Sequence, residues 1–190
     1  MILHPVRTLL LLLFAGFQLP LLAQKQIDVP DIYTLNVPAP MFIMHDINGK
    51  SVHLLDYKGK VLILTFWATW CAPCHRAFPA MQQVVKHYAN DTNVVFLFAD
   101  TRENLPDYKR SAQEDMSKHH YDFKIVYDET DADGNQSKYL SLFGSHFIPA
   151  KYIIDRNGII RYQWIGYNGK NTDEEAAAKL IQLIDVAGNK

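Results

Sequence analysis

Residues 61–67, Val-Leu-Ile-Leu-Thr-Phe-Trp, form a nearly unbroken apolar run, and it leads directly into "ATWCAPCH". Such a run, rich in β-formers, cannot alternate between core and solvent, so it predicts a strand buried on both faces of a sheet. A strand of that kind needs a layer on each side, which makes the chain α/β. Behind the second cysteine, Phe78, Met81, Val84, Val85 and Tyr88 recur at helical spacing. The pattern places Cys71 at the N-terminus of an amphipathic helix and Cys74 one turn inside it. Helix amides and the helix dipole favour a thiolate at such a position, which makes Cys71 the attacking thiol and Cys74 the resolving one.

Cys71 and Cys74 are the only two cysteines. As a structural staple they would be weak, because closing so short a loop restrains the unfolded chain by only about 2 kcal/mol. A structural zinc site would need four ligands, and the remaining histidines show no paired ligand spacing beyond adjacent His119 and His120. Cys-x-x-Cys is the spacing of a redox-active disulfide, and Cys-x-x-Cys-His is also that of c-type haem attachment.

A length of 190 residues, 48% of them hydrophobic, suits one globular domain. Nineteen basic against twenty acidic residues leave no basic stripe for nucleic acid. Residues 1–23 carry Arg7, an apolar run from Leu9 to Phe17 and small Ala23 before Gln24, the pattern of a secretory signal peptide. The alternative is an uncleaved membrane anchor, for which the run is short. Residues 24–37 read as a linker and 38–190 as the folded domain.

Along that domain, Asn48-Gly49 between apolar-alternating runs predicts a hairpin turn, and "NVVFLFAD" to Asp100 a second buried strand. Residues 104–120 suggest a helix with Leu105, Tyr108, Ala112 and Met116 on one face, and 123–128 a further strand. Residues 130–135, "TDADGN", read as a loop whose acidic residues do not match a calcium site. "RNG" at 156–158 turns the chain between the last two strands. The final helix starts at Thr172, with Glu175 completing a capping box and Gly188 just past its end.

The segment "FWATWCAPC", with Pro79 five residues on, resembles the active site of the thioredoxin superfamily. The longer match is to its TlpA/ResA-like branch. Residues 39–67 resemble that branch's Pro-rich hairpin opening, and residues 147–162, "FIPAKYIIDRNGIIRY", its strand and acidic turn after a proline opposite the disulfide. The resemblance implies a thioredoxin-like fold with an N-terminal β-hairpin and a central helix-strand insertion. It also implies that the Ile148–Pro149 bond is cis and that Ile148 and Pro149 bind substrate, while Trp70 and Pro73 shape the approach to Cys71.

The activity implied is thiol–disulfide oxidation–reduction through Cys71 and Cys74, without cofactor or metal, by an exported, periplasmic monomer. Its partners would be protein disulfide or thiol substrates and a membrane electron donor. Ala72-Pro73 between the cysteines is closer to reducing members than to oxidants, which tend to have histidine there. A peroxiredoxin-type peroxidase would need threonine where Ala68 stands, and a copper-delivery protein of this fold would need one more residue between its cysteines. Haem attachment fits the strand-to-helix setting less well. Two positions depart from the pattern: Thr65 stands where thioredoxin has a buried aspartate, and Ala77 where many relatives have glutamate. His75 is expected to be solvated, and the group that handles protons is left unassigned.

Overall fold

The computed structural model describes residues 32–189. The expected signal peptide and the first part of the expected linker lie outside them. Strand β1 (Ile32–Pro38) opens the described chain, so the last residues of that linker are strand. β1 pairs antiparallel along β8 and is half-buried at best, and its weak apolar signal is that of an edge strand. β2 (Ile43–His45) and β3 (Ser51–His53) form the hairpin, with Gly49 at φ 77° and the Asp46 carboxylate accepting the amides of Asn48 and Lys50.

A 3-10 turn (Leu54–Tyr57) leads to β4 (Val61–Trp67), buried at all seven positions. Helix α1 (Ala72–His87) follows, then β5 (Val94–Asp100), α2 (Tyr108–Lys118) and β6 (Ile125–Tyr127). The chain closes with α3 (Lys138–Leu142), β7 (Ala150–Ile154), β8 (Ile159–Ile165) and α4 (Asp173–Gly188). α2 starts later than the sequence pattern predicts, and Leu105 is exposed. The cause is Pro106, which pushes the residue before it out of helical conformations. The short helix α3 was not expected at all.

All eight strands form one sheet in the order β1-β8-β7-β4-β5-β6-β2-β3. β4, β5 and β6 run parallel, and the pairings outside this trio are antiparallel. The two faces of β4 divide the core. Val61, Ile63 and Trp67 pack with α1, α2 and α4. Leu62, Leu64 and Phe66 pack with α3 and the hairpin, through Phe42, Tyr139, Leu140 and Phe143. Parallel β4 and β5 end side by side, Trp67 level with Asp100, and antiparallel β7 begins beside them, Ala150 level with Phe66. One end of the sheet therefore gathers the segments after Trp67 and Asp100 and the segment before Ala150.

The β7–β8 turn is held by Asp155, a buried carboxylate. Its Oδ1 accepts the amides of Asn157 (2.8 Å) and Ile159 (3.0 Å), and its Oδ2 accepts the Arg161 guanidinium twice, at 2.7 Å each. Burial pushes this carboxyl up, but the Ile159 amide, Arg161 and the Asn157 amide outweigh it and hold it below the usual carboxylate range. An acid whose folded value is depressed contributes stability above its unfolded value, about pH 4, and loses it as the pH falls through the folded value. Asp155→Asn is expected to cost about 3 kcal/mol in urea unfolding at pH 7, because it strips Arg161 of its charge partner. The deficit relative to the unsubstituted protein should shrink below pH 4.

Candidate active site around Cys71 and Cys74

Cys71 caps α1. Its Sγ accepts the Cys74 amide at 3.2 Å, and its carbonyl accepts the amides of Cys74 and His75. Pro73 fits the first turn because an amide there would lack an intrahelical partner. Cys71 and Cys74 are joined in a disulfide with their Cα atoms 5.3 Å apart. Both cysteines are buried, Cys71 at 2% exposure and Cys74 at none.

Trp70 is 54% exposed, and its indole N–H donates to the Arg102 carbonyl at 2.9 Å. Trp67, three residues earlier, is the tryptophan that fills the core. The Ile148–Pro149 peptide is cis; Pro149 is buried and Ile148 half-buried between the two halves of the core. The Arg102 guanidinium donates to the His146 carbonyl at 2.8 Å, so one residue touches both the Trp70 segment and the segment that ends at Pro149. Arg102 itself has φ 59°, a left-handed conformation uncommon outside glycine. Phe147 is 71% exposed beside Ile148. A cleft of about 500 Å³ opens next to Trp70, lined by Arg102, Glu103 and Gln136 among others.

His75 is not the solvated residue expected from its helical position. It is half-buried, its Nε2 lies 2.8 Å from the Thr69 carbonyl, and its ring meets Trp67 and Phe78 edge-on. The turn from β4 into α1 leaves that carbonyl without a ladder partner, and the first turn of the helix carries His75 back over it. Thr69 is held from its other side by Glu103, whose two carboxylate oxygens accept the Thr69 amide (2.5 Å) and hydroxyl (2.9 Å).

Neither the Cys-x-x-Cys spacing nor the apolar pattern points to Arg102, Glu103 or Gln136. The only sequence signal is the acid Asp100 at the end of a buried strand. No group of three or more His, Cys, Asp or Glu side chains suited to a metal ion occurs among the described residues.

Residues 35–163 match the model of the AhpC/TSA family. The chain belongs to that family. Among relatives, it is 33% identical to the thioredoxin-like protein YneN of Bacillus subtilis, across 72% of this chain and 75% of that one. It is 29% identical to the thiol-disulfide oxidoreductase ResA of Geobacillus thermodenitrificans, across 65% of this chain and 64% of the relative's length. A crystal structure from Chlorobium tepidum, described as a thiol:disulfide interchange protein DsbE, is 28% identical and superposes with a TM-score of 0.61, covering 80% of this chain and 96% of that one. The fold of this AhpC/TSA-family chain is therefore thioredoxin-like, and its Cys71–Cys74 pair fits a redox centre.

The two departures from the thioredoxin pattern meet a third residue beneath α1. Thr65 is buried, its hydroxyl has no hydrogen-bond partner among the described residues, and across the β4–β7 ladder it faces Lys151. Lys151 is also buried, with Nζ 5.0 Å from the centre of the Trp164 ring, and it lines a small cavity with Ala77 and Met81. A lysine thus stands beside both positions at which the sequence departs from the pattern it resembles. A charged amine acting on the pair would favour thiolates over the disulfide. Lys151→Met, which preserves the apolar stem, is expected to lower the midpoint potential of the pair by about 30 mV, the two-electron equivalent of about 1.4 kcal/mol. Titration in glutathione buffers with alkylation of free thiols measures it, and an unchanged midpoint would show that the amine does not act on the pair.

Proposed function

We propose that this protein is an exported, periplasmic thiol–disulfide oxidoreductase that reduces disulfides in protein substrates. The observation that carries the reading is the cysteine pair itself, set across the first turn of α1, with Cys71 the less deeply buried of the two. In the reduced protein the Cys71 thiolate attacks one sulfur of a substrate disulfide and displaces the other as a thiolate. The Cys74 thiolate then attacks Cys71, releasing the second substrate thiol and closing the Cys71–Cys74 bridge. Two electrons pass to the substrate, and the same steps in reverse, with a membrane dithiol donor, restore the reduced pair.

Trp70 and Phe147, both exposed, offer apolar surface to the substrate chain on either side of Cys71. Pro73 limits the freedom of the pair, and an extended substrate segment would lie beside Ile148 and Pro149 in the manner of strand addition. Ala72-Pro73 between the cysteines favours the reducing direction, and a monomer suffices for each step. Export rests on residues 1–23, and no helix among the described residues is long and apolar enough to cross a membrane.

A peroxidase reading, which the AhpC/TSA match invites, would need a hydroxyl beside the attacking sulfur. Ala68 is apolar and buried, and the Thr69 hydroxyl is committed to Glu103.

Cys74→Ser is expected to accumulate a mixed disulfide with substrate on Cys71, seen as an adduct in intact-mass spectra that dithiothreitol removes. Cys71→Ser should form none. The unsubstituted protein should reduce insulin disulfides and leave hydrogen peroxide unconsumed; peroxide turnover without disulfide reduction would reverse the assignment.

A further inference from the structure

Asp100 ends β5 with no solvent exposure, level with Trp67 of β4 and with Tyr127 of β6. One of its oxygens, Oδ1, is reached by the Gln136 side-chain amide at 3.3 Å, while Oδ2 finds no donor among the described residues. An ionised carboxylate has only acceptors, so a buried oxygen with no donor is costly. The group that faces Asp100 is a second carboxylate, Glu103. A proton on Asp100 turns that repulsive contact into a hydrogen bond while both Glu103 oxygens go on accepting from Thr69.

We infer that Asp100 keeps a proton in the folded protein, and that the Asp100–Glu103 carboxyl pair positions the Thr69–Trp70 segment in front of Cys71. Glu103 is the positioning residue and Asp100 holds the proton. The inference rests on the exchange reading above and supplies the proton-linked group that the sequence leaves unassigned.

The surroundings keep the proton in place. The other titratable groups facing Asp100 are Asp128 beyond β6, Tyr127 on β6 and Tyr108 on α2. Asp128 accepts the Thr101 hydroxyl at 2.9 Å and the amides of Tyr139 and Leu140. The nearest cation along the chain, Arg102, directs its guanidinium to the His146 carbonyl. Burial above all, then the charges of Glu103 and Asp128, push Asp100 up to about 8 against the help of Gln136.

Gln136 ties the pair to the rest of the site. Its side chain donates to the Asp100 carbonyl and accepts the Glu103 amide, and its own carbonyl accepts the Arg102 amide and lies 2.9 Å from the Thr101 hydroxyl oxygen. On the far side of Thr69, His75 lies between the Thr69 carbonyl and Asp115, whose Oδ2 is 3.7 Å from Nδ1, with His119 on the same carboxylate. Above pH 8, Asp100 would become an anion against Glu103, and the grip on Thr69 would loosen.

The test uses the oxidised protein, whose thiols are silent, and follows tryptophan fluorescence from pH 5.5 to 9.5, since Trp67 flanks Asp100 and Trp70 follows Thr69. A transition near pH 8 is expected in the unsubstituted protein and should vanish in Asp100→Asn. In parallel, the reduced protein is mixed with glutathione disulfide at pH 7. Glu103→Gln, which can offer Thr69 one acceptor in place of two and no charge, should react about tenfold more slowly.

If Glu103→Gln fails to fold, Thr69→Val removes only the hydroxyl bond and should slow exchange in the same direction by about threefold. A fluorescence transition that persists in Asp100→Asn, or variants that exchange at the unsubstituted rate, would overturn the inference. A cysteine pair that never titrates in the unsubstituted protein would instead overturn the exchange reading, so the two failures are distinct.

Discussion

The site depends on the burial of one strand. Because β4 is covered on both faces, its seven residues are fixed in register against β5 and five of them, Leu62 to Phe66, against β7, and its last residue, Trp67, ends in the core. Burying side chains of this size is worth roughly 1.5–3 kcal/mol each, so the strand's seven buried side chains together outweigh the few hydrogen bonds at the site. The cysteine pair therefore sits at the end of a rigid support rather than on a free loop. Parallel pairing with β5 brings Asp100 level with Trp67, and antiparallel pairing with β7 brings the Ile148–Pro149 segment to the same end.

From that support, the chain must turn through Ala68–Trp70 before α1 begins, and the turn exposes backbone groups with no ladder partner. The amide and hydroxyl of Thr69 go to Glu103, its carbonyl goes to His75, and the Trp70 indole goes to Arg102. Two side chains, Glu103 from the segment after β5 and His75 from α1, thus do for the Thr69 backbone what a sheet would otherwise do. The arrangement holds the segment before Cys71, the less deeply buried cysteine of the pair, from both sides.

Much of this was legible in the sequence, and the parts that were not share a cause. The continuous apolar run at 61–67, the helical spacing behind Cys74, the hairpin turn at Asn48-Gly49 and the Thr172 capping box each depend on short-range rules, and each appears where those rules put it. β1 and α3 escaped because one is an edge strand with few buried side chains and the other has only five residues, too short for a period to show. The late start of α2 was readable from Pro106, which the apolar spacing of Leu105 and Tyr108 obscured. His75 was misjudged because helical geometry gives a direction but not what lies there, here a carbonyl left over from the preceding turn.

The carboxylates show the same limit at the site itself. Reading the resemblance position by position looks for an acid at 65 or 77 and finds threonine and alanine. Proton chemistry near a disulfide requires a buried titratable group held close to the active-site segment, and it does not require that group to come from a particular strand. Here Asp100 stands level with Trp67 on the neighbouring strand, and Glu103 holds Thr69, two residues before Cys71. Meanwhile a buried lysine, Lys151, faces Thr65 across the β4–β7 ladder and lines a small cavity with Ala77, so an acid added at either position would stand beside an amine. The titratable groups at this end of the sheet come from β5, the segment after it and β7, and short-range sequence rules do not connect residues so far apart in the chain.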